Sequence, residues 1–183
     1  FHQRYPDINI ELYQGTYADV SYWIKNGIVD IGFLSLSSAG DLPIEPLYCD
    51  PLLCVVPKGY HKREDTLYMT PDEMKDEVFV SQMETTDADI AIFMKQNGLG
   101  NVRMDYHVVD DLSTIALVAA GLGICIMPEL VMNDIPYEVD RYPMMPEAHR
   151  VIGISALNPN FLAPAVKMLY QHVIEKYKTI DEA

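Results

Sequence analysis

The chain alternates between runs with an apolar residue at every second position and runs with one at every third or fourth. Residues 8–13, INIELY, follow the first pattern, which predicts a half-buried strand. A helical run comes next, with Thr16 and Asp19 spaced as a capping box at its start and Asn26–Gly27 as its end. The apolar run IVDIGFL at residues 28–34 then predicts a second, buried strand.

The same alternation continues to the end of the chain. Further strands are predicted in IEPLYCD (44–50), PLLCVVPKG (51–59), VFVS (78–81), VRMDYHVV (102–109), ICIMP (124–128) and HRVIGIS (149–155). Further helices are predicted in PDEMKDE (71–77), TTDADIAIFMKQNG (85–98), DDLSTIALVAAGLG (110–123) and APAVKMLYQHVIEKY (163–177), and the proline-rich residues 136–146 predict irregular structure. Strands that alternate with helices predict an α/β fold with mainly parallel sheets.

Two similar passages predict two lobes. WIKNGIVDIGFLS at residues 23–35 and LVAAGLGICIMPE at residues 117–129 each run from a helix through glycine into a buried strand. A break at Pro57 and the polar residues after it separates the two passages. We therefore expect a lobe boundary near residue 58.

Composition and charge exclude several classes of protein. The chain has 183 residues, 49% of them hydrophobic, so it is long enough to fold around sizeable cores. Its formal net charge is −14 and its 13 Lys and Arg residues are scattered, so the chain alone is not expected to bind DNA. No apolar run reaches the length of a membrane helix. Cys49, Cys54 and Cys125 lie in apolar runs and are predicted to be buried, reduced thiols of a cytosolic protein.

The sequence predicts no catalytic motif, no metal site and no cofactor. The five histidines have no metal-ligand spacing and none belongs to a recognisable nucleophile motif. The glycine pairs at residues 98–100 and 121–123 follow helices, whereas a dinucleotide-binding loop follows a strand. These glycines are interpreted as helix ends and turns.

Polar residues cluster where three predicted strands end. The clusters are Ser35, Ser37 and Ser38 after the strand ending at Leu34, residues 81–86 after VFV, and residues 110–113 after YHVV. Ligands of open α/β sheets bind outside the carboxyl ends of strands, where helix amino termini also expose N–H groups. The clusters therefore predict a small-molecule site, although each residue alone could be only a turn or cap. Asp30 is interpreted as structural.

Four blocks of sequence together resemble the effector-binding domain of LysR-type transcriptional regulators. They are FHQRYPDINIEL (1–12), GIVDIGFLS (27–35), PLYCDPLLCVVPKGYH (46–61) and VAAGLGICIMP (118–128), and they occur in the order and at the spacing of that family. The resemblance implies the periplasmic-binding-protein type II fold: two α/β lobes joined by two crossover strands, with a small effector in the cleft. Lobe I would comprise residues 1–57 plus 148–183, and lobe II residues 58–147.

The resemblance also implies functional residues and partners. The residues nominated for effector contact are Ser35, Leu36, Ser37, Ser81, Gln82, Met83, Asp110, Asp111 and Met127. The implied protein is a cytoplasmic bacterial regulator, a homodimer that forms a tetramer when full length. Effector binding would favour one arrangement of the lobes and so change how paired DNA-binding domains meet the promoter. The DNA-binding winged helix-turn-helix domain is expected upstream of Phe1, together with the first strand of the effector domain.

Two other classes of protein share the implied fold. A secreted solute-binding protein would require a signal peptide or lipoprotein cysteine upstream, and the three cysteines count against it. A biosynthetic enzyme would need a positioned acid, base or cofactor-bearing cysteine, and substitution of Cys54, Cys125 or Asp110 would then abolish turnover. Hydroxyls and helix amino termini suit an anionic effector. Asp110 and Asp111 disfavour an anion unless they cap the helix, so a neutral or amine-bearing effector stays open.

Overall fold

The patterned runs of the chain form five α-helices and seven strands in the part that the structure describes. This computed structural model describes residues 1–60, 67–82, 88–108 and 110–179, apart from the side chains of residues 81, 82 and 88. The helices are α1 (Tyr17–Lys25), α2 (Pro71–Met74), α3 (Ala88–Gln96), α4 (Asp111–Ala119) and α5 (Pro164–Tyr177). The strands are β1 (Gly32–Ser35), β2 (Ile44–Pro57), β3 (Val78–Gln82), β4 (Arg103–Val108), β5 (Cys125–Pro128), β6 (Val139–Pro143) and β7 (His149–Ser155).

The chain divides into two compact units. Unit 1 comprises Phe1–Cys49 and Val151–Ala183, and unit 2 comprises Asp50–Arg150. The boundaries therefore fall after Cys49 and Arg150, whereas the sequence predicts them after residues 57 and 147. Residues 53–57 belong to unit 2 because β2 continues without interruption and its second half pairs there with β5 and β6.

Unit 1 is built on the antiparallel pair β1 and β7, whose register runs from Gly32 opposite Ser155 to Ser35 opposite Ile152. The capping box predicted at Thr16 is confirmed, since its hydroxyl accepts from the Asp19 N–H at 3.2 Å and the Asp19 carboxylate accepts from the Thr16 N–H at 2.9 Å. Helix α1 buries apolar side chains with β1, and α5 does so with β2 and β7. These packed faces form the cores of unit 1.

Unit 2 combines antiparallel and parallel pairs. The second half of β2 pairs antiparallel with β5 and with β6, and β3 pairs parallel with β4. Side chains on the two faces of these strands enter separate cores, with Cys54 and Phe79 in one and Val55 and Val80 in the other. The prediction of mainly parallel sheets is wrong for the described ladders. The parallel ladder of β3 and β4 is accompanied by two isolated parallel bridges, Phe79 to Ile124 and Met69 to Met144.

Two strands predicted near the start of the chain need correction. Residues 8–13 form no strand, and the Leu12 side chain is 92% exposed. Alternation alone cannot make a strand, because a strand also needs a partner, and none pairs with this segment among the described residues. The strand predicted at residues 28–34 covers only Gly32–Ser35, the four residues in register with β7. Asp30 is exposed and lies in the bend before this strand.

Three other predictions differ from the structure. Residues 44–59 form one strand instead of two, since the ladder with β5 begins only at Leu52 and Pro51 is not needed there as a donor. Part of residues 136–146 forms β6, because β2 offers that segment a partner. Cys49 is exposed, whereas Cys54 and Cys125 are buried as predicted. Residues 85–87, at the start of the helix predicted over 85–98, lie outside the described residues.

Candidate functional site

The hydroxyl cluster of unit 1 lies where β1 passes into a 3-10 turn at Leu36–Ser38. Ser35 is fully buried and its Oγ lies 3.1 Å from the Oγ of the exposed Ser37, so the two hydroxyls share a hydrogen bond. Leu36 between them is 47% exposed. The enclosed Oγ of Ser38 has no hydrogen-bond partner among the described residues. Polar groups and one exposed leucine thus follow directly from a buried strand.

In unit 2, three strands end at one edge. Strands β3 and β4 are parallel, and Ile124, which leads into β5, forms a parallel bridge to Phe79 of β3. Parallel strands have their carboxyl ends at the same edge, so Gln82, Val108 and Pro128 mark one side of this unit. That side is the one at which open α/β sheets bind ligands.

A glycine permits this arrangement of strands. Gly123 lies so close to β3 that a Cβ atom at this position would overlap the carbonyl oxygen of Val78. Ile124, the next residue, exchanges backbone hydrogen bonds with Val78 and Val80, both at 2.9 Å. The glycine interpreted from sequence as a helix end is therefore also needed for the close approach of β5 to β3.

The residues nominated after VFV are only partly described. Ser81 and Gln82 are the last two residues of β3, opposite His107 and Val108 of β4. Met83 lies outside the described residues, and the side chains of Ser81 and Gln82 do too. Their backbone nevertheless reaches the edge described above.

Asp110 is the amino-terminal cap of α4. Its Oδ1 accepts a hydrogen bond from the Ser113 N–H at 2.8 Å, and its carbonyl oxygen accepts one from the Thr114 hydroxyl at 3.0 Å. Hydrogen bonds from the Ser113 side chain and backbone hold the pKa of the Asp110 carboxyl below its ordinary value of 3.8. The exposed Asp110 side chain and the half-buried Asp111 both lie at the beginning of the helix. Asp110 thus remains ionised near neutral pH and stabilises the helix.

Met127 lies in β5, opposite Leu53 of β2. Its side chain is 1% exposed and packs in the core that contains Ile115 and Val118 of α4. It therefore contributes to the packing of α4 against β5. Pro128 lies next to it, where β5 ends and the 3-10 turn Glu129–Met132 begins; we call this point the corner after β5.

Asp50, the last residue of the strand predicted over residues 44–50, is the most enclosed charged residue near this corner. Its side chain is fully buried, and Oδ2 accepts from the Nε of Arg150 at 2.9 Å. Oδ1 accepts from the backbone N–H of Leu130 at 3.0 Å, in the 3-10 turn that follows β5. The available signal was an aspartate within an otherwise apolar run, the same signal that drew attention to Asp30.

The arrangement suits binding better than catalysis. Burial, together with the charges of Glu77 and Glu73, raises the pKa of the Cys54 thiol to about 12, and burial raises the pKa of Cys125 well above its ordinary value. Within the described ranges, no group of three or more His, Cys, Asp or Glu side chains could hold a metal ion. A search of the same residues finds no helix long and apolar enough to cross a membrane.

Comparison with known proteins identifies the class. The family model for the LysR substrate binding domain matches residues 1–178, and the chain belongs to this family. Its fold is the type II periplasmic-binding-like fold of LysR effector-binding domains, as the resemblance implies.

Individual relatives extend this comparison. The chain is 30% identical over 186 residues to the uncharacterized HTH-type transcriptional regulator YybE of Bacillus subtilis, an alignment that covers 97% of this chain and 61% of that protein. The effector-binding domain of QuiR in complex with shikimate superposes with a TM-score of 0.81 at 21% identity, covering 96% of this chain and 85% of that one. The CcmR regulatory domain of Synechocystis PCC6803 in complex with 2-PG gives a TM-score of 0.83 at 16% identity, covering 98% and 88%.

Proposed function

We propose that this chain is the effector-sensing domain of a LysR-type transcriptional regulator and that it binds a small metabolite to modulate transcription. The observation that carries the proposal is the family match over residues 1–178. Polar segments at the ends of β1, β3 and β4 support it, because they occupy the positions at which the fold class binds ligands. The chain spans 61% of the length of the relative YybE, so the activity of the whole protein is part of the proposal.

The proposed effector contacts are the residues named from sequence. In unit 1 they are Ser35, Leu36 and Ser37; in unit 2 they are Ser81, Gln82, Met83, Asp110, Asp111 and Met127. Because the Met127 side chain packs in the core, its proposed contribution is through the β5 backbone and its packing.

The charge of the effector depends on the beginning of α4. The Asp110 carboxylate accepts a hydrogen bond from one of the free N–H groups at the start of that helix. Fewer N–H groups are therefore left to bind an anionic effector there, and the carboxylate itself repels an anion. Serine hydroxyls both donate and accept, and so they serve acids, amines and neutral polyols alike. A screen for the effector should include all three chemical classes.

We propose no catalytic role for this domain. Cys54 and Cys125, the cysteines that the enzyme alternative would require, are buried with raised pKa values, so they remain thiols near neutral pH. Asp110, the candidate acid or base, is committed to capping α4. Its relative YybE is named as a transcriptional regulator, which agrees with this proposal.

In the proposed mechanism, the effector favours one arrangement of the two lobes. A homodimer, assembled into a tetramer in the full-length protein, would pass this change to DNA-binding winged helix-turn-helix domains that lie outside this chain. The regulator would act in the cytoplasm. If a metabolite that binds this domain leaves DNA affinity, DNA bending and promoter output of the full-length protein unchanged, the proposed mechanism is wrong.

A thermal-shift screen of the 183-residue chain against small acids, amines and polyols tests the binding proposal. A ligand at 100 times its dissociation constant stabilises the folded state by about 2.7 kcal/mol, which gives a readily measured shift in Tm. Ser37→Ala should weaken binding of the metabolite found, and Ser21→Ala in α1 is the matched control. Equal affinity of both variants would exclude a contact by the Ser37 hydroxyl, and a screen without any stabilising metabolite would count against the proposed function.

A further inference from the structure

The Asp50 carboxylate joins three segments that are far apart in sequence. Asp50 lies in β2, Arg150 lies 100 residues further on in β7, and Leu130 lies 80 residues further on in the turn after β5. One carboxylate oxygen binds each partner, so neither bond competes with the other. The Leu52 N–H of β2 also donates to the carbonyl of Ala148, the residue before β7, at 2.8 Å.

Asp50 and Arg150 are the first and last residues of unit 2. Unit 2 runs continuously from Asp50 to Arg150, so these two residues are its points of entry and exit. Any change transmitted along the backbone out of unit 2 passes through them. The third partner, Leu130, follows Pro128 at the corner where β5 reaches the edge shared with β3 and β4.

Burial makes the three segments depend on one another. The Asp50 side chain is fully buried and that of Arg150 is 13% exposed, so water replaces lost hydrogen bonds poorly at this place. A buried charge that loses its partner is strongly unfavourable. Loss of the Arg150 contact should therefore displace the Asp50 carboxylate and weaken its hydrogen bond from the Leu130 N–H. The Lys58–Asp140 ion pair of the same unit differs, because its lysine is 64% exposed and water can replace the contact.

We propose that Asp50 and Arg150 couple the corner after β5 to both backbone connections of unit 2. They are positioning residues: they set the place of the corner at which effector contact is proposed and carry a displacement of that corner to β2 and β7. This inference rests on the proposed function for the role of the corner. The coupling itself follows from the bonds of the Asp50 carboxylate.

Amide hydrogen exchange of the 15N-labelled chain, followed by NMR, tests the coupling. Arg150→Gln removes the cation at the exit strand without touching Leu130. If Asp50 couples the two, exchange of the Leu130 N–H should accelerate on the order of tenfold, as expected when a charge-assisted hydrogen bond loses its support. The Leu99 N–H, which donates to the Met94 carbonyl at 2.8 Å in the same unit, reports general opening and should change less than about twofold.

Three further variants separate coupling from loss of stability. Arg150→Lys retains the charge without the planar guanidinium and should give an intermediate acceleration, which also provides a milder variant if Arg150→Gln does not fold. Lys58→Gln removes the exposed Lys58–Asp140 ion pair and should leave the exchange rate of the Leu130 N–H unchanged. In a chain that already carries Asp50→Asn, Arg150→Gln should change the exchange rate of the Leu130 N–H little further, because the carboxylate that connects the two residues is absent.

Two outcomes would overturn the coupling. One is an equal acceleration at Leu130 and Leu99 in both Arg150 variants, which would mean simple destabilisation; the other is no change at Leu130. The exchange measurement requires no effector. A screen without a binding metabolite would therefore remove the proposed function and leave the coupling result standing, whereas an unchanged Leu130 would remove the coupling alone.

Discussion

At the scale of single residues, the three cysteines differ in environment although all lie in apolar runs of sequence. Cys49 is exposed, and Cys54 and Cys125 are buried in neighbouring strands. Cys54 belongs to one core of unit 2 and Cys125 to the other, so their side chains point to opposite faces of the sheet. This arrangement keeps the two buried thiols from forming a disulfide with each other.

The thiols should therefore react selectively with Ellman's reagent. In the folded chain at pH 8 we expect only Cys49 of the three cysteines to react rapidly, because it is exposed, whereas the pKa of Cys54 is raised to about 12 and that of Cys125 is also well above its ordinary value. Cys49→Ser should abolish the rapid phase, and denaturant should expose all the thiols. Rapid reaction of more than one thiol in the folded chain would contradict the burial described here.

Two aspartates show how far sequence reading can go at this scale. Asp30 and Asp50 both interrupt apolar runs, and sequence alone gives no reason to rank them differently. Asp30 is exposed in a bend, whereas Asp50 is buried with partners 80 and 100 residues away. These partners come together only in the tertiary structure. The local pattern therefore shows that an aspartate interrupts an apolar run, but it cannot predict which aspartate is buried.

At the scale of secondary structure, the beginning of α4 combines a structural and a proposed functional role. The Asp110 carboxylate caps the helix and has a lowered pKa in the folded state. A group with a lowered folded pKa contributes stability that is fully present above its unfolded value, here near 3.8, and is lost as the pH falls through the folded value.

Asp110→Ala should thus lower the free energy of unfolding at pH 7, and the difference from wild type should narrow as the pH falls below its ordinary value of 3.8. Asp110→Asn retains an oxygen acceptor for the Ser113 N–H and should be closer to wild type at pH 7. Urea unfolding monitored by circular dichroism at several pH values measures both. A deficit in Asp110→Ala that stays constant down to pH 2 would contradict the role of the ionised cap.

The close approach of β5 to β3 gives a second prediction for an element. Gly123→Ala would force the new Cβ against the Val78 carbonyl and should cost roughly 1–3 kcal/mol of stability. Gly100→Ala is the matched control, since nothing lies within 4 Å of a Cβ there, and it should change stability by less than about 0.5 kcal/mol. Urea titration of both variants measures the difference, and equal stabilities would show that the strands can separate without cost.

The elements that sequence reading predicts correctly have their signals close together in the chain. The capping pair of Thr16 with Asp19 specifies the beginning of α1 within four residues. The failures concern pairing: residues 8–13 alternate well but form no strand, and β6 forms within a proline-rich stretch because β2 is its partner. Alternation describes a possible strand face, whereas a partner depends on the whole fold.

At the scale of the whole molecule, the sequence resemblance already implies the family and the fold, and the family model confirms both. The four blocks carry this information through their order and spacing along nearly the entire chain. Boundaries are less accessible to sequence, because the unbroken strand β2 crosses from unit 1 into unit 2 at Asp50 without any loop to mark the point. The proposed contact residues remain predictions for mutagenesis.

The charge of the molecule predicts its behaviour toward DNA. With a formal net charge of −14, the chain alone should show no binding to a duplex oligonucleotide up to about 10 μM protein at about 150 mM salt. Fluorescence anisotropy of a labelled duplex measures this, with the full-length regulator as the positive control. Binding by the isolated chain would contradict the assignment of DNA contacts to another domain.

The 2.9 Å contact between Asp50 and Arg150 also has a consequence for modular construction. Because unit 2 begins and ends at residues whose side chains touch, it is topologically an insertion into unit 1 whose two ends need little chain to join. Residues 50–150 could be produced as a separate recombinant fragment, with a short linker joining residue 150 to residue 50 if new ends are opened elsewhere. The same segment could also be exchanged between related regulators by cutting the chain after residues 49 and 150. Recombination at these ends would transfer the six proposed contact residues of unit 2 and leave the three of unit 1 in place, while each unit keeps its own core.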